Sequence, residues 1–310
     1  MALFPSGFIL CNRRWLSVFF FSLATLFCSG FSKGQETYSP AVGESQSNSR
    51  FVRFIGGAEQ WQGRLQTSIA TYENESGVIL SLVSAVHMAD ERYYDRLNDY
   101  FQSQDAVLYE LVAEFDQRPV FDETAAVPRA GSPVAMMQRA MARFLKVSFQ
   151  LEQIDYSQAN FRHADVTPTQ LNEIMQSKNE NSFSMFLSLA LAQSVSQTKS
   201  RPESGLGSLA MLRAMMTPQR DSVAKYLLAK ELSNSELSAL SAELESQLTI
   251  LGDRNRAALK VLKASLKEPQ IRQLSIFYGA AHMPGIERAI VSGFGFKKVG
   301  EQWLDAWIIP

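Results

Sequence analysis

Residues 78–85 and residues 274–278 are nearly unbroken apolar runs, and a histidine follows each within a few positions. Short continuous runs bounded by turn residues are the pattern of strands covered on both faces. The first run passes through Ser84-Ala-Val-His87-Met88 toward a helix starting near Asp90. The second passes through Gly279-Ala-Ala-His282-Met283 toward a helix that Pro284 opens and that extends to about Val291. Each histidine therefore stands where a strand hands over to a helix, the edge at which α/β sheets tend to place their sites. The two turns read as one device used twice.

The rest of the pattern fits around these runs. Residues 65–72 alternate as a strand, residues 73–77 have turn chemistry, and a hairpin leads into the first run. Tyr94, Leu97 and Phe101 make one stripe of a helix over residues 90–101, and residues 106–112 form a further buried strand. From about residue 131 to 267 the period becomes helical. Residues 133–156 place Val134, Met137, Met141, Phe144 and Leu145 on one face. Thr167-Pro-Thr-Gln170 is a capping box with proline at the first helical position, opening a helix through Met175.

Residues 183–195 and 206–216 are Met- and Leu-rich core stretches, and residues 221–251 are helical with a break near Ser233. Asp253 is placed to cap a helix to Leu266, with Lys260, Lys263 and Lys267 on its solvated face. Residues 298–309 form a last strand carrying Trp303 and Trp307. The pattern predicts sheet-forming halves at the two ends of the chain, with a large helical insertion at about 131–267 between them. One domain covers residues 61–310.

Composition changes the picture mainly at the N-terminus. Arg13 and Arg14 precede an uncharged apolar run at residues 15–27, and small residues follow at Ser29, Gly30, Ser32 and Gly34. That is a secretory signal peptide over residues 1–34, its run shorter than the ~20 residues a spanning helix needs. An uncleaved signal would tether the protein; otherwise it is exported, periplasmic or extracellular, with no stable membrane insertion. Residues 35–60 form a leader whose Ser-, Gln- and Gly-rich part, 34–50, predicts flexibility. Both cysteines, Cys11 and Cys28, fall inside the signal, so no disulfide, thiolate metal site or cysteine nucleophile is available to the remainder. With 30 basic and 31 acidic residues, the chain shows no electrostatic footprint for nucleic acid.

Candidate chemistry concentrates in few residues. The chain has 3 histidines, and His87 and His282 occupy the paired turns. Glu110 is a carboxylate in the middle of an apolar strand, expensive to bury unless paired or bound to a cation. Arg254, at the start of a helix, is the kind of partner it needs; the pair can be purely structural, or the arginine can orient the carboxylate or bind an oxyanion. Two imidazoles and one carboxylate make a plausible three-ligand divalent site with positions open for water and substrate. His163 precedes the capping box and reads as a loop or cap residue. Ser84 sits in no Gly-x-Ser-x-Gly context, which argues against a serine nucleophile.

Gly279-Ala-Ala-His282, Ser84-Ala-Val-His87 with serine in place of glycine, Leu108-Tyr-Glu-Leu111 and Asp253-Arg-Asn255 together resemble the motifs of the TraB/GumN/TIKI superfamily. That group is related to erythromycin esterase and to haem-binding lipoproteins. The resemblance covers roughly residues 60–295, its middle matched in character only. It implies an α+β fold, a mixed central sheet from two half-repeats, whose half-sheets bring the motifs face to face around a cleft. It also implies divalent-metal-dependent peptidase activity, in which His87, His282 and Glu110 are metal ligands or catalytic groups and Arg254 a site-stabilising residue; manganese, cobalt and zinc are the candidate ions. The expected function is an exported metal-dependent hydrolase acting on a peptide or small ester. The alternatives are a non-catalytic haem, metal or peptide binder, and a metal-independent esterase with a histidine general base.

Overall fold

Seven strands form one mixed sheet, and the helices of this α+β fold pack on its two faces. The structure, a computed structural model, describes residues 51–114, 143–178, 220–234 and 249–310. The expected signal peptide, most of the leader and the Met-rich stretches 183–195 and 206–216 lie outside the described residues. The strands are β1 (Val52–Gly56), β2 (Gly63–Glu73), β3 (Ile79–Ala85), β5 (Ala106–Tyr109), β7 (Phe161–His163), β8 (Gln273–Gly279) and β9 (Lys297–Ile309). A separate two-stranded ribbon joins β4 (Met88–Ala89) to β6 (Ser148–Phe149). The sheet order is β1-β2-β3-β8-β5-β7, with β9 pairing β2.

Two halves of the sheet differ in direction. β1, β2, β3 and β9 pair antiparallel, whereas β3, β8, β5 and β7 run parallel. The parallel strands alternate between two cores. Val83, Ala85, Val107, Tyr109 and Phe277 face one, and Leu80, Leu82, Ala106, Leu108, Ile276 and Tyr278 face the other. Burial on both faces is why these segments read as continuous apolar runs. Over the first face lie α1 (Glu91–Gln102), through Tyr93, Tyr94, Leu97 and Phe101, and α4 (Arg220–Asn234), through Ala224, Leu228 and Ala229. Over the second lie α5 (Arg254–Ser265) and α6 (Met283–Gly293), through Ala258, Leu262, Ile286 and Ile290. Among the described residues, no helix is long and apolar enough to cross a membrane.

Several expectations change. The leader does not extend to residue 60: Phe51 and Val52 are buried, and β1 pairs with β2. The helix expected over residues 133–156 does not run through its C-terminal part. Lys146 adopts a left-handed φ of 51°, and β6 and the one-turn α2 (Gln150–Gln153) follow. The insertion is therefore not wholly helical, since it contributes β7 to the main sheet beside β5. The capping box does open α3 (Pro168–Ser177): the Gln170 amide donates to Thr167 Oγ1, and the Thr167 amide donates to Gln170 Oε1.

Asp253, by contrast, does not cap α5. It has helical backbone angles at the end of a π-turn (Thr249–Asp253), and its carboxylate pairs with Lys178 and Arg256. The two motif strands, β3 and β8, are neighbours in one sheet, so the motif turns lie side by side at its edge.

Candidate functional site

The four parallel strands end on one edge of the sheet, and the chemistry sits there. His87 follows β3, Glu110 follows β5, and His163 ends β7. After β8, Gly279 leads into a 3-10 turn, Ala280–His282. Glu110 is therefore not in mid-strand. β5 stops at Tyr109, and the carboxylate stands just past the ladder, its amide still donating to Phe277 O over 3.1 Å.

The two histidine turns are not equivalent. Register pairs Ala85 with Gly279 and Ser84 with Tyr278. His282 thus lies three residues beyond its register mark, whereas His87 lies two beyond its own. Ser84 is displaced from the place that glycine holds in the second turn. Its buried hydroxyl donates to Phe51 O over 3.1 Å, a structural bond to the strand edge.

Gly279 is where close approach matters. A Cβ there would stand 3.2 Å from Glu110 Oε2, 3.8 Å from His87 Nε2 and 3.9 Å from His282 Cδ2. The missing side chain leaves the space in which the three expected site residues meet. The Gly279 amide also donates to Glu110 Oε2 over 2.6 Å, a charge-assisted bond.

Each histidine is oriented by a side-chain amide. Asn255 Nδ2 donates to His282 O over 3.4 Å, which turns Asn255 Oδ1 toward His282 Nδ1 at 2.7 Å. Nδ1 must then carry the hydrogen, so Nε2 is the basic nitrogen of the neutral ring. Gln150 does the same for His87: its Nε2 donates to the Tyr156 hydroxyl over 3.0 Å, and its Oε1 faces His87 Nδ1 at 3.2 Å. His282 is 4% exposed, whereas His87 is half-buried.

Glu110 is the hub. Arg254 Nη2 donates to its Oε1 over 2.7 Å, and His282 Nε2 stands 3.5 Å from the same oxygen. Burial alone pushes the Glu110 carboxyl up, but the Arg254 guanidinium beside it outweighs burial and holds the group well below the usual carboxylate range. Arg254 is divided between two acids. Beyond its bond to Glu110 it donates from Nε to Asp165 Oδ1 over 3.0 Å and from Nη2 to Asp165 Oδ2 over 2.5 Å. Burial pulls the guanidinium down, while Asp165 and then Glu110 raise it, so it stays charged.

Two carboxylates against one guanidinium leave the buried cluster with a net negative charge. Arg254 and Asn255, adjacent at the start of α5 just after the π-turn, both reach into the site.

All four expected site residues, His87, Glu110, Arg254 and His282, therefore converge. The sequence reading missed Asp165, Asn255 and Gln150 as their supports. His163 is on a strand rather than in a loop, and its Nε2 donates to Leu111 O over 2.6 Å, holding the segment after Glu110. In the sequence Asp165 stands just before the capping box, and nothing local ties it to Arg254.

For a divalent ion, the donor chemistry fits. Histidine ligands usually have the far ring nitrogen held by an oxygen acceptor, as both are here. The 3.5 Å between His282 Nε2 and Glu110 Oε1 also matches the ~3.4 Å between two ligands on one tetrahedral ion. Three ligands do not close around a point as they stand: among the described residues, no group of three or more His, Cys, Asp or Glu is arranged to hold a metal ion. In comparisons with known proteins, no family model and no curated protein matches the chain.

Proposed function

We infer that the protein is a hydrolase of peptide or small ester bonds whose water is activated in the space between His87, His282 and Glu110. One observation carries this reading. Two imidazoles, each fixed at Nδ1 by an amide oxygen, surround one carboxylate in the gap left by Gly279. A structural histidine needs no such arrangement, repeated past the ends of two neighbouring parallel strands.

In this reading His87, His282 and Glu110 would hold a divalent ion such as manganese, cobalt or zinc. When bound, the ion supplies a Lewis acid that lowers the pKa of a water and polarises a carbonyl. The chain's own groups do the rest. Asn255 and Gln150 keep both Nε2 atoms turned inward. Arg254 and the Gly279 amide keep Glu110 ionised and fix its plane. The N-terminal pattern of residues 1–34 supports export of this hydrolase.

A second reading, a metal-independent esterase, is favoured by the absence of a closed three-ligand set among the described residues. His87, the more accessible imidazole, would there be the general base: Nε2 takes a proton from water as the water oxygen attacks the carbonyl carbon, and the proton passes to the leaving group.

The test is a screen of peptide and nitrophenyl-ester substrates with manganese, repeated after exhaustive chelation. The first reading expects turnover that chelation abolishes and the ion restores. Turnover indifferent to chelation supports the second reading, and turnover retained in both His87→Ala and His282→Ala contradicts both.

A further inference from the structure

We propose that Asp165 is a positioning residue: it draws the Arg254 guanidinium aside, so that Glu110 is held by one arginine N–H, keeps its bond to Gly279 and stays turned toward His282. This inference builds on the hydrolase reading but concerns the placement of Glu110, which can be measured apart from turnover.

The Asp165 side chain has 0% exposure and makes three contacts with Arg254, from Nε to Oδ1 at 3.0 Å, from Nε to Oδ2 at 3.2 Å and from Nη2 to Oδ2 at 2.5 Å. Glu110 receives one contact, from Nη2 at 2.7 Å. A guanidinium and a carboxylate left to themselves pair through two parallel hydrogen bonds. Arg254 forms no such fork with Glu110: Asp165 takes its Nε–Nη2 edge, and the shared Nη2 alone reaches Glu110. The consequence shows at the far oxygen: Glu110 Oε2 accepts from the Gly279 amide at 2.6 Å instead of from arginine.

Asp165 is itself fixed. The Val166 amide donates to its Oδ1 over 2.8 Å. The preceding Ala164 is tied on both sides, its amide donating to Tyr109 O at 3.2 Å and its carbonyl accepting from the Tyr278 hydroxyl at 2.6 Å. The strand end of β7 thus delivers a carboxylate to the opposite side of Arg254 from the strand end of β5.

Charge points the same way. Without Asp165, Arg254 and Glu110 would neutralise each other. With it, the cluster keeps a net negative charge next to two imidazole nitrogens, which suits a cation. In Asp165→Asn the side chain keeps its size, but its NH2 cannot accept a hydrogen bond. Arg254 then has an N–H without an acceptor in a buried place, and the nearest carboxylate is Glu110.

The experiment uses the full chain as wild type, Asp165→Asn and Asp165→Glu, with two readouts. The first is the amide proton of Gly279 in a proton–nitrogen correlation spectrum. It is expected far downfield in the wild type, shifted upfield in Asp165→Asn as Glu110 swings to Arg254, and largely restored in Asp165→Glu. The second is manganese binding by calorimetry, expected to weaken about tenfold or more in Asp165→Asn, the usual scale for an outer-shell partner.

A Gly279 amide that does not move in Asp165→Asn overturns the inference, whatever the calorimetry shows. No manganese binding by the wild type overturns the cation reading alone and leaves the Gly279 result to decide the role of Asp165. If Asp165→Asn does not fold, Asp165→Ser replaces it: the shorter hydroxyl withdraws the carboxylate from Arg254, and an unmoved Gly279 amide there also overturns the inference.

Discussion

The two histidine turns look alike in sequence and differ in the fold. His282 is buried in a 3-10 turn, held by Asn255 from α5 on one side of the sheet and 3.5 Å from Glu110. His87 is half-buried in an open bend before β4, held by Gln150 from the chain excursion on the other side. Register explains the difference, since Gly279 pairs with Ala85 rather than with Ser84. The closer turn needs glycine because Glu110 is packed against it; the looser one tolerates a serine whose hydroxyl serves Phe51. His282 is therefore the fixed member of the pair and His87 the accessible one. Equal spacing in sequence does not mean equal roles.

The largest expected effect removes what both turns share. Glu110→Gln should abolish hydrolysis and cost about 3 kcal/mol in urea unfolding, the lower end for breaking a buried ion pair, because Asp165 still partners Arg254. The loss should depend on pH. A carboxyl held below its ordinary value of 4.5 stabilises the fold above that value and loses its contribution as pH falls through the folded-state value. The stability gap between wild type and Glu110→Gln, measured after chelation, should be full near neutrality and close on acidification below about pH 4.5. A gap that widens on acidification would contradict the assigned pairing.

Gly279→Ala should come next. Its Cβ would press on Glu110 Oε2 at 3.2 Å, so the carboxylate must shift. About 1–2 kcal/mol of stability should be lost, together with most of the activity. The matching change in the first turn, Ala85→Gly, should leave activity within a few-fold, and an equal loss at both positions would undo the contrast.

Asn255→Ala and Gln150→Ala compare the two supports directly. Loss of the buried Asn255 should reduce kcat/KM by about 10–100-fold, and loss of Gln150 by less, because His87 has solvent on one side. The smallest effect is expected for Ser84→Ala. Phe51 O keeps its bond from the Ser68 amide at 3.0 Å, so the cost should be under about 1 kcal/mol with activity unchanged. A large loss of activity there would return Ser84 to the site.

Much of this was legible in the chain. The apolar runs reported strands covered on both faces, the two histidines stand just past their strand ends, and Thr167 to Gln170 forms the capping box, whereas Glu110 read as mid-strand and stands past the end of β5. The parts that were not legible depend on long-range geometry. β7 is three residues long, too short for a period, and only its pairing with β5 makes it a strand. Asp165 and Asn255 are ordinary polar residues until the sheet brings them to Arg254 and His282. Asp253 looked like a cap, but it is the last residue of a π-turn with helical backbone angles, and its carboxylate pairs with Lys178 instead of a helix amide. Register, which separates the two histidine turns, cannot be read from motif spacing because it is set by the neighbouring strand.

The central claim, that His87, His282 and Glu110 form one centre for a divalent ion, is tested most directly by calorimetric titration of the chelator-treated full chain with manganese, beside His282→Ala. One ion bound by the wild type, with binding lost in His282→Ala while its unfolding curve stays cooperative, is the result the account predicts. Equal binding by both proteins, or binding by neither, would contradict it.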